Sequence, residues 1–225
     1  MKHVKYLHKR LDGVSNWLML LPLALCGVWF YVLEQTILRP EHYMYTPFDD
    51  LIPFVPGFVV PYVLWYLYVA GTAVFFFFQS RDAFRRIAIY LSAGMCVACV
   101  VFTLLPNGQH LRPYALGTDI CSQLVMHLYQ NDTPFNSAPS IHVIYSIGTT
   151  CAILTYNRNA GRVRYAIISI LTGITTVAIC LSTLFIKQHS VIDFVGGVVV
   201  GVLLYFFIYT DKHMARAKGY ASVRA

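Results

Sequence analysis

The strongest constraint on this chain is the length of its apolar runs. Six segments, approximately 14–33, 57–78, 87–105, 140–156, 163–186 and 190–209, are each long enough to cross a hydrocarbon layer about 30 Å thick. Lipid offers no hydrogen-bond partners to the backbone, so runs of this length span as helices. Charged residues make up only 12% of the chain, against about a quarter in soluble domains. The expected fold class is therefore all-α: a polytopic membrane protein with six transmembrane helices. No linker or repeat divides the sequence, and residues 1–225 read as one domain.

The net charge of +7 follows from topology and calls for no nucleic acid. Fourteen of the 17 Lys and Arg residues fall at the N-terminus, at the C-terminus, between the second and third segments, or between the fourth and fifth. With six spans all of these lie on one side, so both termini are expected in the cytoplasm. The first segment could be mistaken for a secretory leader. It is long, and Leu25 stands where a cleavage box needs a small residue, so it reads as an uncleaved span. Cys96 and Cys99 have CxxC spacing but sit inside a span, where they read as small core hydrophobes.

Only Arg39, Arg112 and Lys187 remain for the outer side. That side also carries two long connections, roughly 34–56 and 106–139, of a length that usually serves a function. The first contains "FDDLIPFVPGF", which reads as an interfacial re-entry with aromatic anchors. Its Asp49 and Asp50 suit a turn or a helix N-cap better than a ligand set.

Three outer patches carry chemistry. In "LSTLFIKQHSVID", His189 and Asp193 are four apart, a spacing that places both on one helix face. A carboxylate there would fix the imidazole tautomer and leave the other ring nitrogen free as nucleophile or base. A polar pair pinning two helices reads equally well. In "NSAPSIHV", Pro139 and Ser140 suit a helix start, where free N–H groups favour an anion. His142, one turn in, could protonate a leaving oxygen; an ordinary capping Ser and an interfacial His is the plainer account. In "HLRPY", Arg112 offers a fork matched to phosphate oxygens, although surface arginines are common. Together the patches supply a nucleophile with an orienting carboxylate, a proton donor and an anion cradle. Those are the parts of phosphoryl transfer without a metal.

"PSIH", followed by "ST", five residues, His, three residues and Asp, resembles the type 2 phosphatidic acid phosphatase (PAP2) superfamily. Its second motif is Pro-Ser-Gly-His, and its third is Ser-Arg, five residues, His, three residues, Asp. Arg112–Pro113 resembles the end of its first motif, Lys, six residues, Arg-Pro. The resemblance implies a single PAP2-like membrane domain without metal or cofactor. It makes His189 the nucleophile that forms a phosphohistidine, Asp193 its orienting carboxylate and His142 the general acid. It makes Arg112 and Ser140 the groups that hold phosphate. The chain departs from the pattern at Leu105, Ile141 and Thr183, where the family has Lys, Gly and Arg. Two expected cations are thus missing, and Lys187 could substitute in part.

These departures resemble the branch that includes inositol phosphorylceramide and sphingomyelin synthases. The leading expectation is a lipid phosphate phosphatase of the cell membrane, with its site on the extracytoplasmic side. Its partners would be a phosphorylated lipid substrate and the surrounding membrane lipids. The alternative is a phosphotransferase that passes a headgroup to a lipid or alcohol acceptor. A transporter or scaffold would need a polar path across the bilayer, whereas these polar residues gather at one interface. A metal held by His142, His189 and Asp193 is a further, lesser reading. Oligomeric state is not legible.

Overall fold

A computed structural model describes residues 15–37 and 39–210. The basic residues of both termini that entered the topology argument lie outside the described residues. Six long helices occupy the positions of the six apolar segments. They are α1 (Leu20–Thr36), α3 (Val59–Gln79), α4 (Arg81–Leu104), α6 (Ile141–Asn157), α7 (Arg162–Phe185) and α8 (Val191–Tyr209). Two shorter helices, α2 (Pro47–Leu51) and α5 (Ile120–Asn131), lie in the long connections. Among the described residues, five helical stretches are long and apolar enough to cross a membrane: Asn16–Thr36, Pro56–Gln79, Arg81–Leu104, Arg162–Phe185 and Val191–Tyr209.

The sixth long helix, α6, has 17 residues, a rise of about 26 Å. It is the most enclosed element, with an unbroken buried run from Ile141 to Ser146 followed by Gly148, Thr149 and Ala152. Its small residues let neighbours come close. A Cβ at Gly148 would lie 2.2 Å from the Tyr90 ring of α4, and one at Gly197 of α8 would lie 2.8 Å from the Ser140 carbonyl oxygen.

The sequence places the start of the third span near residue 87, but the helix begins at Arg81. Ser80 caps it, its Oγ accepting from Ala83 N at 3.3 Å. The basic run therefore forms the first turns of α4 instead of a connection. Arg86 is buried, donating to Asp82 at 3.2 Å and to the Ile208 carbonyl at the end of α8 at 3.3 Å.

The two long connections fold onto each other. Strands β1 (His42–Tyr43) and β2 (Asn107–Gly108) pair in parallel, and Gly108 also bridges Phe135. The expected re-entry around residues 48–58 is the short helix α2 followed by a 3-10 turn, Pro56–Phe58. Phe58 stacks on Phe185 with ring centroids 4.4 Å apart, and Val55 N donates to the Phe185 carbonyl at 2.9 Å. Asp119 caps α5, accepting from Ser122 N at 3.1 Å. A small core of Val59, Tyr62, Val125 and Ile186 ties these connections to the helix ends. They form a cover over one end of the bundle, where α6 and α8 begin and α7 stops.

Candidate active site

The site is assembled from helix starts. Ser190 caps α8, its Oγ accepting from Asp193 N at 3.2 Å. Asp193 answers through both oxygens: Oδ2 accepts from Ser190 N at 2.9 Å and Oδ1 from the Ser190 hydroxyl at 2.9 Å. This is a capping box with Asp at its fourth position. The same Oδ2 lies 3.3 Å from His189 Nδ1. His189 stands just before the helix, so the pair meets through the cap and not across a helix face, as the four-residue spacing alone implies.

His142 sits in the first turn of α6, which Ser140 caps by accepting from Val143 N at 3.5 Å. Ser140 N donates to the Asp193 carbonyl at 2.9 Å, joining the starts of α6 and α8. The result is a row of three buried groups, with His142 Nδ1 3.3 Å from His189 Nε2 and His189 Nδ1 facing Asp193. The outer face of the His142 ring packs against Tyr62 and Trp65, with centroids 4.5 and 4.3 Å away. Its Nε2 is buried without a hydrogen-bond partner. A tautomer in which His142 Nδ1–H donates to His189 Nε2, and His189 Nδ1–H donates to Asp193, satisfies every contact in the row.

Both imidazoles open onto a cavity of about 30 Å³, lined also by Asp132, Asn136, Ser137 and Gln188. With His142 Nδ1 and His189 Nε2 in hydrogen-bond contact, the two rings must part to admit a phosphoryl group between them.

The other expected site residues are placed differently. Arg112 donates to the backbone carbonyls of Tyr129, at 3.1 Å, and Asp132, and to Gln188 Oε1 at 2.8 Å. Its guanidinium carbon lies 4.2 Å from the Tyr129 ring centre. It stands behind Gln188 and holds the wall of the cavity. Burial pulls its pKa below the usual arginine value, and the Asp132 carboxylate opposes that shift. Ser140 is wholly buried and used as a cap. Lys187 points away from the imidazoles, into a separate cavity of about 460 Å³ shared with Tyr43, Tyr45, Asp49, Asp50 and His110. Its Nζ donates to the Asp49 carbonyl at 2.7 Å. Burial lowers its pKa, against the opposing pull of Asp49 and Asp50. Thr183, at the position of an expected cation, is turned back onto the Cys180 carbonyl. Among the described residues, no Lys or Arg lines the cavity between the imidazoles. Nor does any group of three His, Cys, Asp or Glu side chains have metal-holding geometry.

Sequence reasoning missed Asp132, Asn136, Gln188, Tyr62 and Trp65. The first two lie in the polar run "NDTPFNSAPS", whose density between two apolar spans is a usable signal. Tyr62 and Trp65 carry none, because aromatic residues in a span are ordinary.

The fold and the site define a class: a bundle of membrane-length helices with two facing imidazoles and a bracing carboxylate beneath a cover of connecting segments. Residues 109–217 match the model of the PAP2 superfamily. The matched stretch contains Arg112, Ser140, His142, Lys187, His189 and Asp193. The match points to phosphatase-type chemistry on phosphorylated lipids. Comparison with curated proteins and with solved structures gives no match.

Proposed function

We propose that this protein is an integral-membrane lipid phosphate phosphatase that cleaves a phosphomonoester or diphosphate lipid through a phosphohistidine. The observation that carries the reading is the row Asp193–His189–His142, with 3.3 Å at each step. The His189 Nε2 lone pair attacks phosphorus. The phosphorus–oxygen bond to the leaving group breaks, and the leaving oxygen takes the Nδ1 proton of a His142 imidazolium, which returns to the neutral ring. Asp193 keeps its hydrogen bond to His189 Nδ1–H and balances the positive phosphoimidazole ring. Water then attacks phosphorus and gives its proton to His142, and the phosphorus–nitrogen bond breaks. The products are inorganic phosphate and the lipid alcohol from a monoester, or inorganic phosphate and the lipid monophosphate from a diphosphate.

In this reading the chain crosses the membrane six times, α6 included. Both termini are cytoplasmic, and the site opens under the extracytoplasmic headgroups of the cell membrane. The clustering of Lys and Arg supports that orientation.

A second reading is favoured by one feature, the absence of Lys and Arg from the cavity walls among the described residues. A monoanionic phosphodiester needs less compensation than a phosphomonoester dianion. The phosphohistidine would then pass its group to an alcohol or lipid hydroxyl in place of water.

Purified protein given a panel of phosphorylated lipids in excess chelator, with and without alcohol acceptors, tests both. Phosphate release that disappears in His189→Ala is the expected result. Headgroup transfer without phosphate release selects the second reading, and full activity in His189→Ala removes both.

A further inference from the structure

Two non-glycine residues take left-handed backbone conformations among the described residues, Asn136 with φ 52° and Lys187 with φ 54°. L side chains visit this region rarely, Asn more readily than Lys. Such conformations persist when the surroundings hold them. Both flank the site: Asn136 lines the cavity, and Lys187 precedes His189 by two residues.

An acid from the first fifty residues holds each segment. Glu34, near the end of α1, accepts from Asn136 Nδ2 and from Thr133 Oγ1, each at 2.6 Å. Asp49, which is 1% exposed, grips the other segment at two points. Its backbone carbonyl oxygen accepts from Lys187 Nζ at 2.7 Å, a contact that alanine keeps, and its carboxylate Oδ1 accepts from Val191 N at 2.8 Å. These points lie two residues before and two residues after His189. Asp49 is itself fixed, Oδ2 accepting from Thr46 N at 2.7 Å and Thr46 Oγ1 at 3.0 Å. Neither acid falls within the family-matched stretch, 109–217.

We propose that Glu34 and Asp49 are positioning residues, two acid clamps that hold loop 132–140 and turn 186–191 so that His142 and His189 face each other. A carboxylate suits the task because its two oxygens accept from separate donors at once. The need is strict, since a reacting group displaced by about 1 Å can lose roughly 100-fold in rate. The clamps stand on the hydrogen bonds above, and their effect on turnover rests on the reading of His189 as the nucleophile.

The test uses the full chain in membranes or detergent, with Glu34→Ala, Asp49→Ala and Asp49→Asn. Each alanine variant is expected to lose about 10- to 100-fold in kcat while KM stays within about 3-fold. Asp49→Asn retains a carbonyl for Val191 and is expected to stay at least about 5-fold above the alanine variant. Backbone hydrogen exchange should rise in residues 133–138 for Glu34→Ala and in 186–191 for Asp49→Ala. Unchanged turnover per phosphorylatable site, counted from the first-turnover burst, with only a lower melting point would mean a folding role and overturn the proposal. If the wild type releases no phosphate from any lipid, the nucleophile reading falls. Hydrogen exchange still decides the clamps, and unaltered exchange in both segments overturns them.

Discussion

Asp193 makes three contacts with two oxygens, and they serve different ends. The two from Ser190 start α8; the third braces the His189 ring. Asp193→Asn separates these roles, because an amide oxygen at the Oδ2 position still accepts from Ser190 N and His189 Nδ1–H and keeps much of the cap. The negative charge that balances a positive phosphoimidazole ring is lost. The expected outcome is a loss of about 100-fold or more in lipid dephosphorylation, with a stability cost near about 1 kcal/mol. Rates and thermal melting measured on one preparation would show it; equal losses in both would deny the bracing role. The sequence makes His189, Asp193 and His142 legible because each is an ionisable group beside an apolar run, where chance placement is costly. It shows their spacing but not the cap through which they meet. Nor does it show that Arg112 and Lys187 are spent on carbonyl oxygens, since those partners are set by the cover, which carries no periodicity.

At the scale of elements, the apolar runs locate all six long helices, and the differences gather at polar edges. The start of α4 escapes a sequence reading because Arg85 and Arg86 read as a loop, whereas Ser80 caps the helix and α8 buries Arg86. Helix α5 escapes it because its hydrophobic residues are too few for a span and pack on the small core beneath the cover. The enclosure of α6 makes a firm prediction. Gly148→Val drives a side chain into the Tyr90 ring, while a Cβ at Gly173 on α7 would meet nothing within 4 Å. Gly148→Val should destabilise by about 1–3 kcal/mol, and Gly173→Ala should be neutral or stabilising by up to about 1 kcal/mol. Thermal melting of the two variants in one detergent checks the contrast. Similar melting points would show that α6 is not packed as tightly as the glycine contacts require.

At the scale of the whole molecule, the labour divides along the chain. The matched stretch carries both imidazoles and the carboxylate, and the part before it supplies α1, α3, α4 and the acids that grip the site loops. That division requires the two long connections to share one side of the membrane with the starts of α6 and α8. It also requires α6, with 17 residues, to cross the bilayer. Its rise of about 26 Å is about 4 Å short of an average hydrocarbon core. A central helix wrapped by longer neighbours can be this short, because its ends meet protein and the polar cover before they meet lipid. The consequence can be measured in a cysteine-depleted background. Tyr114, fully exposed in the second connection, and Asn159, exposed between α6 and α7, are each replaced by Cys. A membrane-impermeant maleimide applied to intact cells should label Tyr114→Cys and leave Asn159→Cys unlabelled until the membrane is opened. Labelling of both from outside would mean that α6 does not cross. The reverse pattern would turn the site toward the cytoplasm, where a phosphorylated lipid would have to be met from the inner leaflet.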